Sequence, residues 1–282
     1  MSDPSLRDRI EQYYATVPLL FAEAEEFGSL RLFVRKAAGA PYYGGPNHAQ
    51  PTGGSAIVTT ADIARVRARQ RALGVPEAFE WLAEVSPYLR ARIEAAGLTV
   101  AERPLMTLDP QHSLPAQPLP EGLTIRALTA DDPALPAALA VSQLAFAEEG
   151  TTAVSAARAE LAVAAENLMV DGTVAATRPT VSAGHKTVVA AFAPDGTPVA
   201  VGHYHPASGA TEIGGIGTLA TARRQGLGAA VTVALAAHAR EHGVRTIFLA
   251  YAEESVARIY ARLGFRPAGT TLLIANQPAR GQ

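Results

Sequence analysis

The sequence predicts a mixed α/β protein, with a central sheet flanked by helices over residues 122–275 and a smaller N-terminal part of related pattern before it. Three observations predict this. Apolar residues alternate between the two-residue period of strands and the 3.6-residue period of helices along the C-terminal part. A proline-rich stretch divides the chain. A strand–helix–strand unit occurs on both sides of that division.

The C-terminal part reads in order as follows. Leu123 to Ala127 is a short strand, and Asp131-Asp132-Pro133 opens an alanine-rich helix. A second helix follows near 155–168. Lys186 to Ala193 and Pro198 to His205 are strands around the hairpin turn Pro194-Asp195-Gly196-Thr197. Thr211 to Leu219 is a third strand of this group. The helix after it runs from about Gly226 to His242, with Leu227, Val231 and Leu235 on one stripe, and Gly243 stops it. Thr246 to Tyr251 is a strand, Glu253 to Leu263 a helix, and Thr270 to Ala275 the last strand. The sheet has an antiparallel front and a βαβ-like back.

Pro104, Pro110, Pro115, Pro118 and Pro120 lie close together, which argues against a helix or a central strand over 104–120. The boundaries expected are therefore residues 1–105, a linker at 106–121, a domain at 122–275 and a frayed tail at 276–282. In the N-terminal part a helix from Thr60 to Leu73 ends at Gly74-Val75. A strand AFEWL, a helix, Gly97-Leu98 and a strand ending PLMTL follow it. The C-terminal part has the same order after Gly243-Val244. Duplication explains the echo; so does the general likeness of any two strand–helix–strand units.

Composition excludes several classes. Lys and Arg number 24 against 26 Asp and Glu, a net charge of −2, so no basic surface for nucleic acid is expected. Hydrophobic residues at 48 % and charged residues at 18 % suit a packed core and not a disordered chain. There is no Cys, which rules out disulfides, a thiolate nucleophile and Cys-ligated zinc. The polar opening MSDPSLRDRI is unlike a signal peptide, and no apolar run reaches the ~20 residues of a spanning helix. A cytoplasmic protein is expected.

The informative stretch is Arg223-Arg224-Gln225-Gly226-Leu227-Gly228, where a strand ends and a helix begins. Its glycines let backbone approach a ligand closely. The first helical turn offers amides without partners and the positive end of the dipole, a site for a pyrophosphate. Arginines at the rim add charge-assisted contacts. No Gly-Lys-Ser/Thr follows, so this is not a Walker loop, and the first Gly of a dinucleotide fingerprint is missing. A plain helix start after a glycine turn would also read this way.

The run Thr211 to Ala275 as a whole resembles the Gcn5-related N-acetyltransferase (GNAT) family. Arg223 to Gly228 matches that family's R/Q-x-x-G-x-G/A signature for acyl-CoA. Tyr260 to Arg266, YARLGFR, matches its tyrosine followed by Gly-Phe, and the stretch from Leu123 resembles its first strand and helix. The resemblance covers residues 122–275. The N-terminal part then reads as a degenerate half-domain: no glycine-loop signature precedes Thr60, and Ile93 stands where Tyr260 does.

The resemblance implies acetyl transfer from acetyl-CoA, without a metal, to an amine on a small molecule or a protein. It gives the pyrophosphate to the amides of Arg224 to Ala229, with Arg223, Gln225, Gly226, Leu227 and Gly228 in the same loop. Ile216 and Thr218 would line the pantetheine arm, with the Thr218 backbone bonding the thioester carbonyl. An alkylamine with a pKa of about 10 must lose a proton before it attacks. Glu212 is the candidate base, because strand alternation puts Glu212, Gly214, Ile216 and Thr218 on one face; His203 or His205 is the other candidate. A phenol, pKa about 10, can protonate a departing thiolate, conjugate pKa about 8.5, and Tyr260 matches the family's tyrosine in that role. Glu253 departs from the family's usual Asn. A non-catalytic acyl-CoA sensor or scaffold is the alternative, and a homodimer is compatible with either.

Three weaker features remain. His238 and His242 have the four-residue spacing of metal ligands, but His238 continues the apolar stripe and reads as packing. Tyr42-Tyr43 reads as a loop or an acceptor contact. Glu148 and Glu149 could attract a cationic amine or simply be solvated.

Overall fold

The structure, a computed structural model, describes residues 4–36, 47–53, 57–146 and 154–274. Tyr42-Tyr43, Glu148, Glu149 and the 276–282 tail lie outside the described residues. From the N-terminus come α1 (Leu6–Thr16), β1 (Ala22–Phe27), β2 (Leu30–Arg35), β3 (Ala49–Pro51), α2 (Thr60–Ala72), β4 (Glu80–Leu82), α3 (Leu89–Ala95) and β5 (Val100–Leu108). Next are β6 (Thr124–Leu128), α4 (Leu135–Ala145), α5 (Val154–Val170), α6 (Thr173–Ser182), β7 (Thr187–Phe192) and β8 (Pro198–Tyr204). β9 (Ala210–Thr218), α7 (Leu227–Glu241), β10 (Thr246–Ala250), α8 (Glu254–Arg262) and β11 (Phe265–Ile274) complete the chain. It divides into two compact units. The first is Met1–Thr107 with Ala250–Glu254 and the chain from Pro267 onward; the second is Leu108–Leu249 with Ser255–Arg266.

In the first unit β1, β2 and β3 form an antiparallel sheet, and β4 pairs antiparallel with β11, which has β5 on its other side. Its core gathers Leu30 and Leu32 of β2, Ile63 and Val66 of α2, Phe79, Trp81, and Leu89 and Ile93 of α3. The helix expected at Thr60 to Leu73 is α2, and the strand after it is β4. The three strands before α2 carried no clear sequence signal.

The expected linker over 106–121 starts inside a strand, and only the part after Leu108 is irregular. Pro104 to Leu108 are the second half of β5, inside a sheet, with Leu105, Met106 and Leu108 buried. Proline costs a strand one donor but keeps its acceptor: the Pro104 carbonyl accepts from Tyr251 N at 3.2 Å. The residues after β5 are irregular as far as Leu123, yet they are held. In the second unit the Arg240 guanidinium donates to the carbonyls of Asp109 and His112, both at 2.8 Å.

In the second unit β6, β7, β8 and β9 are successive antiparallel neighbours and β10 joins β9 in parallel. This is the antiparallel front and βαβ back expected. Asp132 starts α4 by accepting from Ala134 N at 2.9 Å while it pairs with Arg126. One helix was missed: α6 is separate from α5 because Gly172 breaks the chain between them and Asp171 accepts from Thr173 N at 2.8 Å. β11 also begins earlier than expected.

Helices cover both faces of the second unit's sheet. Leu135, Ala138 and Val141 of α4 and Leu161 of α5 pack on Val188, Ala190 and Val201. On the opposite face Val231 and Leu235 of α7 close over Gly202 and Ile216. Burying each such side chain contributes about 1.5–3 kcal/mol.

One local feature matters for the site. Val201 pairs with Gly217 but His203 pairs with Gly214, so β9 carries an extra residue, a bulge. Gly215, at φ 61°, takes the left-handed conformation it needs. A Cβ there would stand 2.5 Å from His203 Nδ1. Gly215→Ala is expected to lower unfolding free energy by about 1–3 kcal/mol, read from the urea midpoint. An unchanged midpoint would mean the bulge is not constrained as described.

Candidate functional site

Paired residues of an antiparallel ladder share a face. Ile213 sits opposite Tyr204 and Thr218 opposite Ala200, so both lie on the α7 face, as does Ile216. Gly214 sits opposite His203 on the α4 face. Glu212, two residues before Gly214, belongs there too. The expectation that Glu212 shares a face with Ile216 and Thr218 is therefore corrected: the extra residue at Gly215 reverses the alternation between them.

The same strand runs past its partner. β10 pairs with β9 at Thr246↔Ala210, Ile247↔Thr211 and Phe248↔Glu212. β9 continues to Thr218 beyond that register. Ile213 to Thr218 thus offer an edge against which an extended ligand can hydrogen-bond as an added strand.

α7 starts beside this edge. Gly226 is its N-cap, left-handed at φ 79°, and has no side chain to satisfy the helix. The first bond of the helix runs from Ala230 N to Gly226 O at 3.0 Å. The amides of Leu227, Gly228 and Ala229 therefore have no intrahelical acceptor, and the dipole adds positive potential. Arg224, also left-handed at φ 64°, precedes this turn. Arg223 donates to Thr218 O at 3.3 Å and to Ala145 O at 3.2 Å, which fixes the loop against the ends of β9 and α4.

A cleft of about 590 Å³ joins these features. Ile216, Thr218, Arg223, Arg224, the Gly226–Ala229 turn and Tyr260 line it. Burial pushes the Tyr260 phenol above its ordinary value, so it is protonated at neutral pH. Sequence reasoning missed Val256, Ile259 and Leu263, although their spacing with Tyr260 along α8 and the turn after it is a legible helical stripe. It also missed Gln117, which no local pattern marks. Gln225 does not line this cleft. It lines a separate cavity of about 180 Å³ with Leu123 and Arg158, because the turn between two left-handed residues sends its side chain away.

The other candidate bases are on the α4 face. His205 is buried, its Nδ1 within 2.8 Å of His185 O, and burial with nearby Lys186 takes its pKa to about 3. Glu212 is 2 % exposed. His203 keeps part of its surface in solvent. His238 and His242 stack with ring centroids 4.0 Å apart, and His238 Nδ1 lies 2.9 Å from the Tyr204 hydroxyl, a packing arrangement. No group of metal-holding residues is found among the described residues. No helix among them is long and apolar enough to cross a membrane.

The N-terminus of α2 in the first unit is capped. The Thr59 hydroxyl accepts from Asp62 N at 3.2 Å, and the Asp62 carboxylate accepts from Thr59 N at 2.9 Å and from Arg65 at 2.6 Å. This capping box spends the amides of Thr59 and Asp62 and puts a carboxylate at the start of the helix.

Residues 170–265 match the model of the Acetyltransferase (GNAT) family. No curated protein matches the sequence. Among solved structures, a GCN5-related N-acetyltransferase from Kribbella flavida superposes with a TM-score of 0.73 at 21 % identity, covering 99 % of this chain and 97 % of that one. A GCN5-related N-acetyltransferase from Sphaerobacter thermophilus gives 0.56 at 17 %, covering 87 % and 75 %. A tandem GNAT protein from the clavulanic acid biosynthesis pathway gives 0.56 at 18 %, covering 89 % and 79 %. At these identities the likeness establishes the GNAT fold.

Two outcomes are expected of this geometry. Gly226→Asp places a carboxylate on the bare amides and should weaken CoA binding about 100-fold or more, a loss of about 2.7 kcal/mol; calorimetry showing unchanged affinity would remove the loop from the site. The same titration of the unaltered chain should give one CoA per chain, because the Asp62 carboxylate stands at the start of α2, and two per chain would contradict the closure of α2.

Proposed function

We propose that this chain transfers an acetyl group from acetyl-CoA to an amine. The carrying observation is the meeting, in one cleft, of bare helix amides, an unpaired strand edge and a buried phenol. Each suits one part of the donor. The Leu227–Ala229 amides and the flanking arginines fit a pyrophosphate. The Ile213–Thr218 edge fits the amide-bearing pantetheine arm, with a backbone donor available to a thioester carbonyl. Tyr260 holds a proton at neutral pH and can give it to a departing thiolate.

The acceptor amine needs a base, and the candidates Glu212, His203 and His205 lie on the face opposite Tyr260. Acid and base thus flank the opened part of the sheet. The acceptor is an amine of a small molecule or a protein.

Release of free thiol from acetyl-CoA, followed across a panel of amines, tests the reading. Tight CoA binding with no release from any amine would favour a sensor instead. Tyr260→Phe should lower kcat by about 10²-fold or more while leaving donor affinity near the wild-type value. Wild-type turnover in that variant would end the acid role of Tyr260.

A further inference from the structure

We propose that His203 is the catalytic residue that takes the proton of the acceptor amine, and that Lys186 is a positioning residue acting through it. This rests on the acyl-transfer reading and chooses among the three bases that the sequence left open.

Geometry separates the three. The α7 face of the opened strand is lined by Ile216, Thr218 and Tyr260, the walls of the donor cleft. On the acyl-transfer reading the acceptor comes from the other face, where α4 lies. On that face His203 packs on the bulge: a Cβ at Gly215 would come 2.5 Å from its Nδ1 and 3.4 Å from Ser142 Oγ. Ser142 donates to Gly215 O at 3.3 Å, which fixes the bulge from the α4 side. Of the three candidates, only His203 combines this contact with accessible surface. His205 is 1 % and Glu212 2 % exposed, and both lie nearer the paired end of β9.

The surroundings of His203 keep its imidazole uncharged. Val188 pairs with His203 and Thr187 with Tyr204, so Lys186 precedes β7 on the same side as His203. Lys186 is 7 % exposed, and burial brings its pKa to about 8, leaving it mostly cationic at neutral pH. The groups facing His203 are Lys186 before β7, His205 after β8 and Glu212 of β9; α4 carries no titratable side chain. Burial first, then Lys186 and His205, hold the His203 imidazole well below its ordinary range. It is neutral, and so able to accept a proton, throughout the physiological range.

The step balances without another reactant. The amine nitrogen bonds to the thioester carbon and the carbon–sulfur bond breaks. The proton lost by nitrogen goes to His203, and sulfur takes the Tyr260 proton. His203 then releases its proton to solvent and Tyr260 regains one from solvent, giving an amide and a free thiol.

The test uses the full chain with nitrogen-labelled histidine and a nonreactive ketone analogue of acetyl-CoA. The His203 ring resonances, identified by their loss in His203→Asn, should shift on adding the analogue, while those of His238 and His242 stay put. Lys186→Met removes a cation, so the ring should titrate at higher pH, and the acid limb of kcat/KM for the amine should move up with it. His203→Gln and His203→Asn should each lose about 10²-fold or more in kcat with donor affinity retained. Resonances blind to the analogue, or wild-type turnover in both His203 variants, would overturn the assignment. A wild-type chain that binds the donor but acetylates no amine overturns the acyl-transfer reading itself, and is told apart by the behaviour of the unmutated protein.

Discussion

A strand can hold an extended ligand only while its backbone donors and acceptors remain unspent, and β9 keeps one edge open from Ile213 to Thr218. Its pairing to β10 stops at Glu212. The bulge at Gly215 lies within the open run and turns the strand there, since an added residue increases local twist and bends the bulged strand. The position of the cleft follows from this, because α7 begins at the end of the same strand and its bare amides face the same opening.

The two units show how little separates an open helix N-terminus from a capped one. Both α2 and α7 start after a loop and bury an apolar stripe. α2 begins with Thr59 and Asp62, which satisfy each other's amides, and Arg65 neutralises the carboxylate. α7 begins with a left-handed glycine that satisfies nothing. A capping box stabilises a helix by about 0.5–2 kcal/mol, and the same donors cannot then serve an anion. In α7 that stabilisation is forgone, and the N-terminus stays open to a ligand.

The sheet also separates charge. Tyr260 and the arginine-flanked loop border the cleft on the α7 side, where burial keeps a phenol protonated. Lys186, His203, His205 and Glu212 are together on the α4 side, where burial keeps the imidazoles neutral. Two environments with opposite consequences for a proton, divided by one opened strand, are what an acid–base pair requires.

The sequence by itself determined what is local. The Arg223–Gly228 turn, the Leu227–Val231–Leu235 stripe and the position of Tyr260 on α8 depend on residues within one or two turns of each other, where periodicity and glycine placement are decisive. Tertiary structure decided what depends on pairing between distant segments. Pro104 entered β5 because a carbonyl alone serves Tyr251 there. Gln117 reached the cleft from an irregular stretch whose backbone Arg240 holds at Asp109 and His112. Glu212 fell on the α4 face because β9 holds one residue more than β8 between His203 and Val201. Alternation along a strand is a property of that strand, but a bulge exists only relative to its partner, so β9 read alone could not carry it.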